Sequence, residues 1–278
     1  MELTTKPEIN LPENKIVEKL KELLEESIKS SLPKEKEKFA LLFSGGIDSS
    51  IIAKILKNME ADFVNYTVIF NNNGFKEPED LSYSIELSKE LEIPLMIIKV
   101  NEKEIESALK ILINIIEKPH PVKLGIALPE YFGLKAAKEQ GINFVYSGMA
   151  ADTLFAGFSK YKEAKNLNEK CREGIKEIYE KRMKRELAIS KETKESIIFP
   201  FLHEDLVSFA LKIPAKYKIN KGQEKYILRK VGEDLGLPEY VVKRKKKAIQ
   251  YGSNFQKALK KIAKKHGHKK IQDYLNSI

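Results

Sequence analysis

The chain has 278 residues, 42% of them hydrophobic and 32% charged, with a formal net charge of +10, enough to bury one large core or two modest ones. No apolar stretch approaches the roughly 20 residues that span a bilayer, and Met1 to Glu13 carries no signal-peptide core, so a membrane role is excluded and a cytoplasmic protein expected. The single cysteine, Cys171, excludes an internal disulfide and any CxxC metal or persulfide site.

Residues 1–12 are polar and read as a loose arm. Asn14 to Ser30 sets Ile16, Leu20, Leu23, Leu24 and Ile28 on one helical stripe, which should pack on a sheet. A charged connection, Pro33 to Lys38, leads into Phe39-Ala40-Leu41-Leu42-Phe43. That apolar run suits a parallel strand covered on both faces. Ser44-Gly45-Gly46 breaks it, and Asp48 to Lys57 has helical periodicity with Asp48 and Ser49 in the capping region. A strand, a glycine-rich turn and a helix N-terminus make an anion site: the glycines let backbone N–H groups approach phosphate oxygens, and the helix dipole favours negative charge. A Walker loop is excluded, because no GxxxxGK followed by Ser or Thr occurs. The carboxylate of Asp48 would repel phosphate unless a divalent cation lay between them, so it reads as a Mg²⁺ ligand. The bland alternative is a tight strand–helix turn, which two glycines alone would support.

Further strands are expected at Phe63–Phe70, Leu95–Val100 and Asn143–Ser147, with a turn at Asn71–Gly74. Helices are expected at Glu79–Leu91, Glu102–Ile116 and Leu128–Gln140. The alternation predicts an α/β fold, a doubly wound parallel sheet, with ligands at the strand ends where the winding reverses. After Phe158 the pattern turns helical, at Asn166–Ile189, Glu204–Lys212, Gln223–Leu235 and Asn254–Lys265, with no convincing strand between. The chain therefore divides into an α/β core over 13–158 and a helical subdomain over 159–278. Charge divides with it: 19 basic and 25 acidic residues in 1–158 (−6), against 31 and 15 in 159–278 (+16). Such an excess can face nucleic acid, or ATP and pyrophosphate. A solvated lysine-rich surface is the plainer reading and is preferred for most of these lysines.

Tyr146 to Phe158 (YSGMAADTLFAGF) again runs strand, small-residue turn, helix start, and places Asp152 at a second strand end. Two carboxylates at neighbouring strand ends can hold one Mg²⁺ against a leaving pyrophosphate. Alone the segment is weak, since an Asp in such a place more often caps its helix.

The hexapeptide Ser44-Gly45-Gly46-Ile47-Asp48-Ser49 resembles, at every position, the pyrophosphate loop of the ATP pyrophosphatases, which split ATP between the α- and β-phosphates and leave an adenylated substrate. The 146–158 segment resembles the SGEGxDExFxGY motif of the synthetase domain of asparagine synthetase, which β-lactam synthetase shares in modified form. Phe199-Pro200-Phe201-Leu202 resembles that family's PFLD segment, Lys225 in KGQEKYILRK its KxxLR lysine, and Arg244 to Lys247 its RxK element. The resemblance runs over about residues 14–255 in order and spacing.

It implies that Ser44, Gly45, Gly46, Asp48, Ser49 and Ser50 grip the ATP phosphates. It further implies that Leu42, Ile69, Ser147 and Gly148 border adenine, and that Asp48 and Asp152 carry Mg²⁺. Lys225 would stabilise charge on the α-phosphate and the attacked carboxylate, worth roughly several kcal/mol where charge develops. Its plain alternative is one more exposed helix lysine. Lys243 to Lys247, Lys246 among them, would add to pyrophosphate binding or form a simple surface loop.

The amino-acid half departs from the family. The glutamate of SGEG, which handles the proton of the incoming amine, is Met149 here, and methionine cannot take a proton. β-Lactam synthetase carries a tyrosine there. The next family glutamate is Thr153. The family segment ETYDVTTIR aligns with Glu117 to Gly125, so the Thr and Arg that recognise aspartate fall on Val122 and Gly125. Glycine cannot replace a bidentate arginine; Lys123 stands two positions away, and Glu117 begins the segment as a candidate substrate contact. The Arg before PFLD is Ile198, and the Asp after PFL is His203. His120 and His203 read as structural. A glutaminase domain would start with a cysteine directly after the initiator Met, and this chain starts Met1-Glu2-Leu3.

The expectation is an ATP- and Mg²⁺-dependent enzyme that adenylates a small carboxylate and forms an amide, with free ammonia or a separate glutaminase subunit supplying nitrogen. The rivals are a tRNA-modifying ATP pyrophosphatase, motivated by the basic second half, and a non-catalytic nucleotide-binding or scaffold protein that lost its chemistry at Met149.

Overall fold

The computed structural model describes residues 8–33, 37–71, 75–117 and 119–278. The first seven residues of the expected arm, the middle of the Pro33–Lys38 connection, Asn72 to Gly74 of the expected turn, and Lys118 lie outside the described residues.

The chain opens with α1 (Glu13–Ser31), then β1 (Phe39–Leu42), α2 (Ile47–Asn58), β2 (Phe63–Phe70), α3 (Glu79–Glu90) and β3 (Leu95–Val100). Next come α4 (Glu102–Ile115), α5 (Pro121–Glu139), β4 (Phe144–Tyr146) and the short α6 (Ala151–Leu154). The later part holds α7 (Leu167–Glu177), α8 (Met183–Thr193), β5 (Ser196–Ile198), α9 (Glu204–Lys212) and α10 (Ala215–Lys218). A two-stranded ribbon of β6 (Ile219–Asn220) and β7 (Gln223–Glu224) precedes α11 (Tyr226–Asp234), α12 (Glu239–Val242), α13 (Ile249–Gly252), α14 (Phe255–Lys265) and α15 (Ile271–Leu275).

Five strands form one parallel sheet in the order β3-β2-β1-β4-β5. From β1 the chain winds outward through β2 and β3, then returns to the other side of β1 with β4. The winding therefore reverses between β1 and β4, the place where such sheets open a crevice at their C-terminal edge. The fold is the doubly wound α/β arrangement that strand–helix alternation predicts. Every residue of the α1 stripe is buried as expected. It packs with α2, α9 and α11 on one face of the sheet, around Leu41, Phe43, Phe63 and Tyr146. The other face buries Ala40, Tyr66, Val68 and Phe70 under α4, α5 and α14. Both cores draw residues from before and after Phe158.

Local expectations fail in four places. The second half is not free of strands: Ser196–Ile198 pairs in parallel with β4 and forms the sheet edge. Three residues are too few for a periodicity signal, and only pairing reveals them. The expected helix over Asn166–Ile189 is two helices joined by a π-turn, Ile178–Arg182. The helix expected from Leu128 starts at Pro121 and carries Pro129 inside, which removes one rung of its hydrogen-bond ladder. The helix expected from Gln223 starts at Tyr226, because Gln223 and Glu224 pair with β6 instead. Among the described residues no helix is long and apolar enough to cross a membrane.

Candidate active site

A cavity of about 1180 Å³ opens at the C-terminal edge of the sheet, where β1 and β4 end. Leu42, Ser44, Asp48 and Ser49 from the β1–α2 turn line it, with Ser147, Gly148, Met149 and Asp152 from the β4–α6 turn. The β1–α2 turn is held from within. The Ser44 amide donates to Ser49 Oγ at 3.3 Å, Gly46 N–H donates to Ser44 Oγ at 3.3 Å, and Ser49 Oγ donates to the Gly46 carbonyl at 3.2 Å. Gly46, rather than Asp48 or Ser49, is the N-cap of α2, so the Asp48 carboxylate is left to point elsewhere. Gly45 has φ +64°, and a Cβ there would press on the Tyr83 backbone, so glycine is required twice over.

Asp48 points at Lys225. The Lys225 ammonium donates to Asp48 at 2.7 and 2.5 Å and lies 2.7 Å from Asp152 Oδ1, bringing three residues spread over the chain to one point. Lys246 adds a second cation, 2.9 Å from the same Asp152 oxygen, with its ammonium 3.7 Å over the Phe158 ring. Lys225 is 2% exposed. Burial opposes its charge, but Asp152 and Asp48 together hold its pKa above the usual lysine range. Burial wins at Lys246, whose pKa is lowered despite Asp152. Two carboxylates and two ammonium groups thus balance in one water-poor cluster.

The backbone around this cluster is strained. Lys225 caps α11 in a left-handed conformation (φ 56°) instead of lying on the helix, and Ala150 (φ 78°) and Ala156 (φ 55°) flank Asp152 in the same region. Non-glycine residues held there cost about 1–2 kcal/mol each, and such strain collects at functional sites. Gly157 packs so closely that a Cβ would collide with both Asp152 and Lys225.

A second buried pair holds the turn from outside. Arg244 donates to the Ser44 carbonyl at 2.7 Å and to Asp80 at 2.7 Å, with its guanidinium stacked 4.0 Å from the Tyr83 ring centre. Burial pushes the Asp80 pKa up to about 6 against the pull of Arg244. Arg229 in turn fastens the Arg244 segment by donating to the carbonyls of Val242 and Arg244.

Of the residues expected from sequence, Leu42, Ser44, Asp48, Ser49, Ser147, Gly148, Asp152, Glu117 and Lys246 line the cavity. Gly45, Gly46, Ser50 and Lys225 stand behind its wall; Ser50 is fully buried. Ile69 is fully buried and does not line the cavity, whereas Tyr66, Thr67 and Val68 of the same strand do. His120 caps α5, its Nδ1 accepting from the Val122 amide at 3.3 Å, and neither it nor His203 lines the cavity.

Sequence reading missed Asp80, Tyr66 and a cluster on the far wall, where α5 and the α7–α8 arm meet. There Arg185 pairs with Glu186 and lies 3.7 Å from Glu130. Glu130 is 5% exposed and Glu186 1%. Burial first, then the Glu186 charge, push the Glu130 pKa well above the usual carboxylate range. The signal available was a glutamate inside an otherwise apolar stretch, Leu124 to Leu134. The Asp48 and Asp152 donor set fits a hard dication: two carboxylates converge on one point, and Mg²⁺ takes one or two from protein while phosphate and water complete it. Among the described residues no group of three or more His, Cys, Asp or Glu side chains gathers as a full metal cage.

The asparagine synthase family model matches residues 19–197 and 196–276. Among curated proteins, "Putative asparagine synthetase (glutamine-hydrolyzing) 1" of Methanocaldococcus jannaschii is 29% identical over 98% of this chain and 57% of its own length. Asparagine synthetase B (glutamine-hydrolyzing) of Escherichia coli is 27% identical over 88% of this chain and 47% of its own. The chain spans about half the length of these relatives. Among solved structures, the U34-tRNA thiolase NcsA of Methanococcus maripaludis aligns over 98% of this chain and 86% of its own, at 16% identity and a TM-score of 0.47, a likeness too distant to inform the site. With the family model covering nearly the whole chain, this protein belongs to the asparagine synthase family.

Proposed function

We propose that this chain is an ATP-dependent ligase that adenylates a carboxylate, releases pyrophosphate, and passes the activated acyl group to ammonia or an amine with loss of AMP. The observation that carries the reading is the Asp48–Lys225–Asp152 cluster beside the Ser44–Gly46 turn, at the edge where the sheet winding reverses.

The β1–α2 turn and the N-terminus of α2 present backbone donors and a helix dipole to the phosphates. Asp48 and Asp152 would hold Mg²⁺, whose charge neutralises the leaving pyrophosphate when bound. Lys225 stabilises the α-phosphate as the substrate oxygen forms its bond to phosphorus and the α–β bridge breaks. Lys246 and Arg244 hold the leaving side: one by direct charge, the other by fixing the turn through Ser44 and Asp80. In the second step the amine adds to the acyl carbon, AMP leaves, and the amine proton goes to an acceptor other than Met149, which lines the cavity but has no basic atom.

The relatives' names make aspartate the first acceptor to try, although Val122 and Gly125 offer it no guanidinium. Part of the basic excess of the second half meets acids of the first, as in Lys247–Glu79, Lys261–Glu102 and Lys265–Glu106, which supports a solvated surface over a tRNA track. Pyrophosphate release from ATP and Mg²⁺, screened over aspartate, glutamate, other carboxylates and bulk tRNA, tests the reading, with Asp48→Ala as control. Release dependent on one carboxylate and lost in the variant is expected. Release dependent on tRNA, or none with any substrate despite ATP binding, overturns it.

A further inference from the structure

Lys225 and Lys246 meet at one oxygen of Asp152. Yet Lys225 lies between β7 and α11, and Lys246 between α12 and α13, outside any helix or strand that would fix them. One buried side chain touches both segments. Arg229, near the start of α11 and 4% exposed, donates through Nε to the Glu224 carbonyl at 2.9 Å and through Nη2 to the Arg244 carbonyl at 3.0 Å. Its Nη1 donates to the Val242 carbonyl. Its backbone amide bonds the Lys225 carbonyl at 2.9 Å, so Arg229 holds the carbonyls of both Glu224 and Lys225. Helical side chains lean toward the N-terminus, which lets a residue one turn after Lys225 reach back over it. That hold explains how a lysine stays left-handed there (φ 56°) at a cost of about 1–2 kcal/mol. On the other segment Arg244 continues the tie to Ser44 and Asp80. Every hydrogen bond of the Arg229 guanidinium goes to a backbone carbonyl, and burial pulls its pKa below the usual arginine range. A buried cation kept for three carbonyls is costly, and a planar guanidinium fork is the group that meets them together.

We propose that Arg229 is a positioning residue: its guanidinium fixes the Lys225 turn against the Lys243–Lys247 segment, and so brings both ammonium groups onto Asp152 and the phosphate site without touching substrate. Lysine at this place would keep the charge on a single nitrogen and lose the fork that spans the two segments. What Lys225 and Lys246 do to the phosphates rests on the adenylation reading; their alignment by Arg229 does not.

Amine acetylation of the full chain, read residue by residue by mass spectrometry, tests the alignment without any reaction. In Arg229→Lys the label on Lys225 is expected to rise several-fold, while Lys218, fully buried elsewhere, stays protected. A rise at both lysines alike, which general loss of stability produces, or a rise at neither, overturns the proposal. Should the variant fail to fold, NMR of the wild-type guanidinium decides: separate, unaveraged Nη–H signals are expected from Arg229, and a freely rotating group overturns the tie. Kinetics then adds the chemistry. Turnover in pyrophosphate release is expected to fall about 10–10²-fold in Arg229→Lys, and by less in a Lys246→Met background, where one of the aligned groups is already gone. Unchanged turnover, or an equal fall in both backgrounds, overturns the role. No pyrophosphate from the wild type with any substrate ends the adenylation reading and leaves the labelling to judge Arg229.

Discussion

The two ends of the cavity follow opposite rules. At the β1–β4 end each of three carboxylates has a cation: Asp48 has Lys225, Asp152 has Lys225 and Lys246, and Asp80 has Arg244. At the α5–α8 end two carboxylates, Glu130 and Glu186, share one guanidinium, that of Arg185. Unpaired charge away from water is costly, and at the second end burial and the Glu186 charge hold the Glu130 carboxyl toward its neutral form. The first end suits the proposed polyphosphate with its dication, a ligand that brings charges of both signs.

Breaking the balanced end should have the largest effect. Lys225→Met leaves the half-buried Asp48 without its cation, while Asp152 keeps Lys246; pyrophosphate release is expected to fall about 10²–10³-fold, with a stability loss of about 2 kcal/mol in denaturant melts. Retained activity in this variant would remove Lys225 from the chemistry. Gly157→Ala asks whether that end tolerates any expansion. Its methyl group would collide with Asp152 and Lys225, so a stability loss of about 1–3 kcal/mol and a lower turnover are expected, the latter read by steady-state kinetics.

The Asp80–Arg244 pair gives a pH test of the same end. The folded pKa of Asp80 is raised to about 6, so the folded chain binds a proton that the unfolded chain has already lost. Stability must therefore fall as pH rises from about 4 to 6 and level off above, an effect on the order of 2–3 kcal/mol. Urea melts across that range should show this slope in wild type and its loss in Asp80→Asn. The smallest effect is expected far from both ends, at the capping box of α4. Asn101→Ala removes the bond from the Glu104 amide, and should cost about 1 kcal/mol of stability without changing pyrophosphate release.

The balanced end was largely legible in sequence because its residues sit in contiguous, chemically odd stretches. Ser44 to Ser50 and Ser147 to Asp152 interrupt apolar runs with glycines and an acid, and Lys225 and Lys246 lie in basic segments that a family pattern singles out. The far end was not legible. Glu130 and Glu186 are 56 positions apart on two helices, and a lone glutamate in a helix reads as solvent-facing until the helix is seen to be covered. That Ile69 lies off the cavity was not legible for a related reason: β2 is buried on both faces, so hydrophobicity does not tell which residues turn to the cavity.

By itself the sequence determined the first four strands with the helices between them, the parallel class of the sheet and the glycine-rich turn after β1, all of which depend on neighbours within a few positions of one another. Tertiary structure decided the edge strand Ser196–Ile198, the left-handed cap at Lys225, the closure of Arg244 on Ser44, and the burial of Glu130 beside Arg185. These depend on which distant segments meet when both faces of the sheet are covered. Burial turns a soluble charge into a paired or waiting one, and burial is a property of the packed chain rather than of any stretch of it.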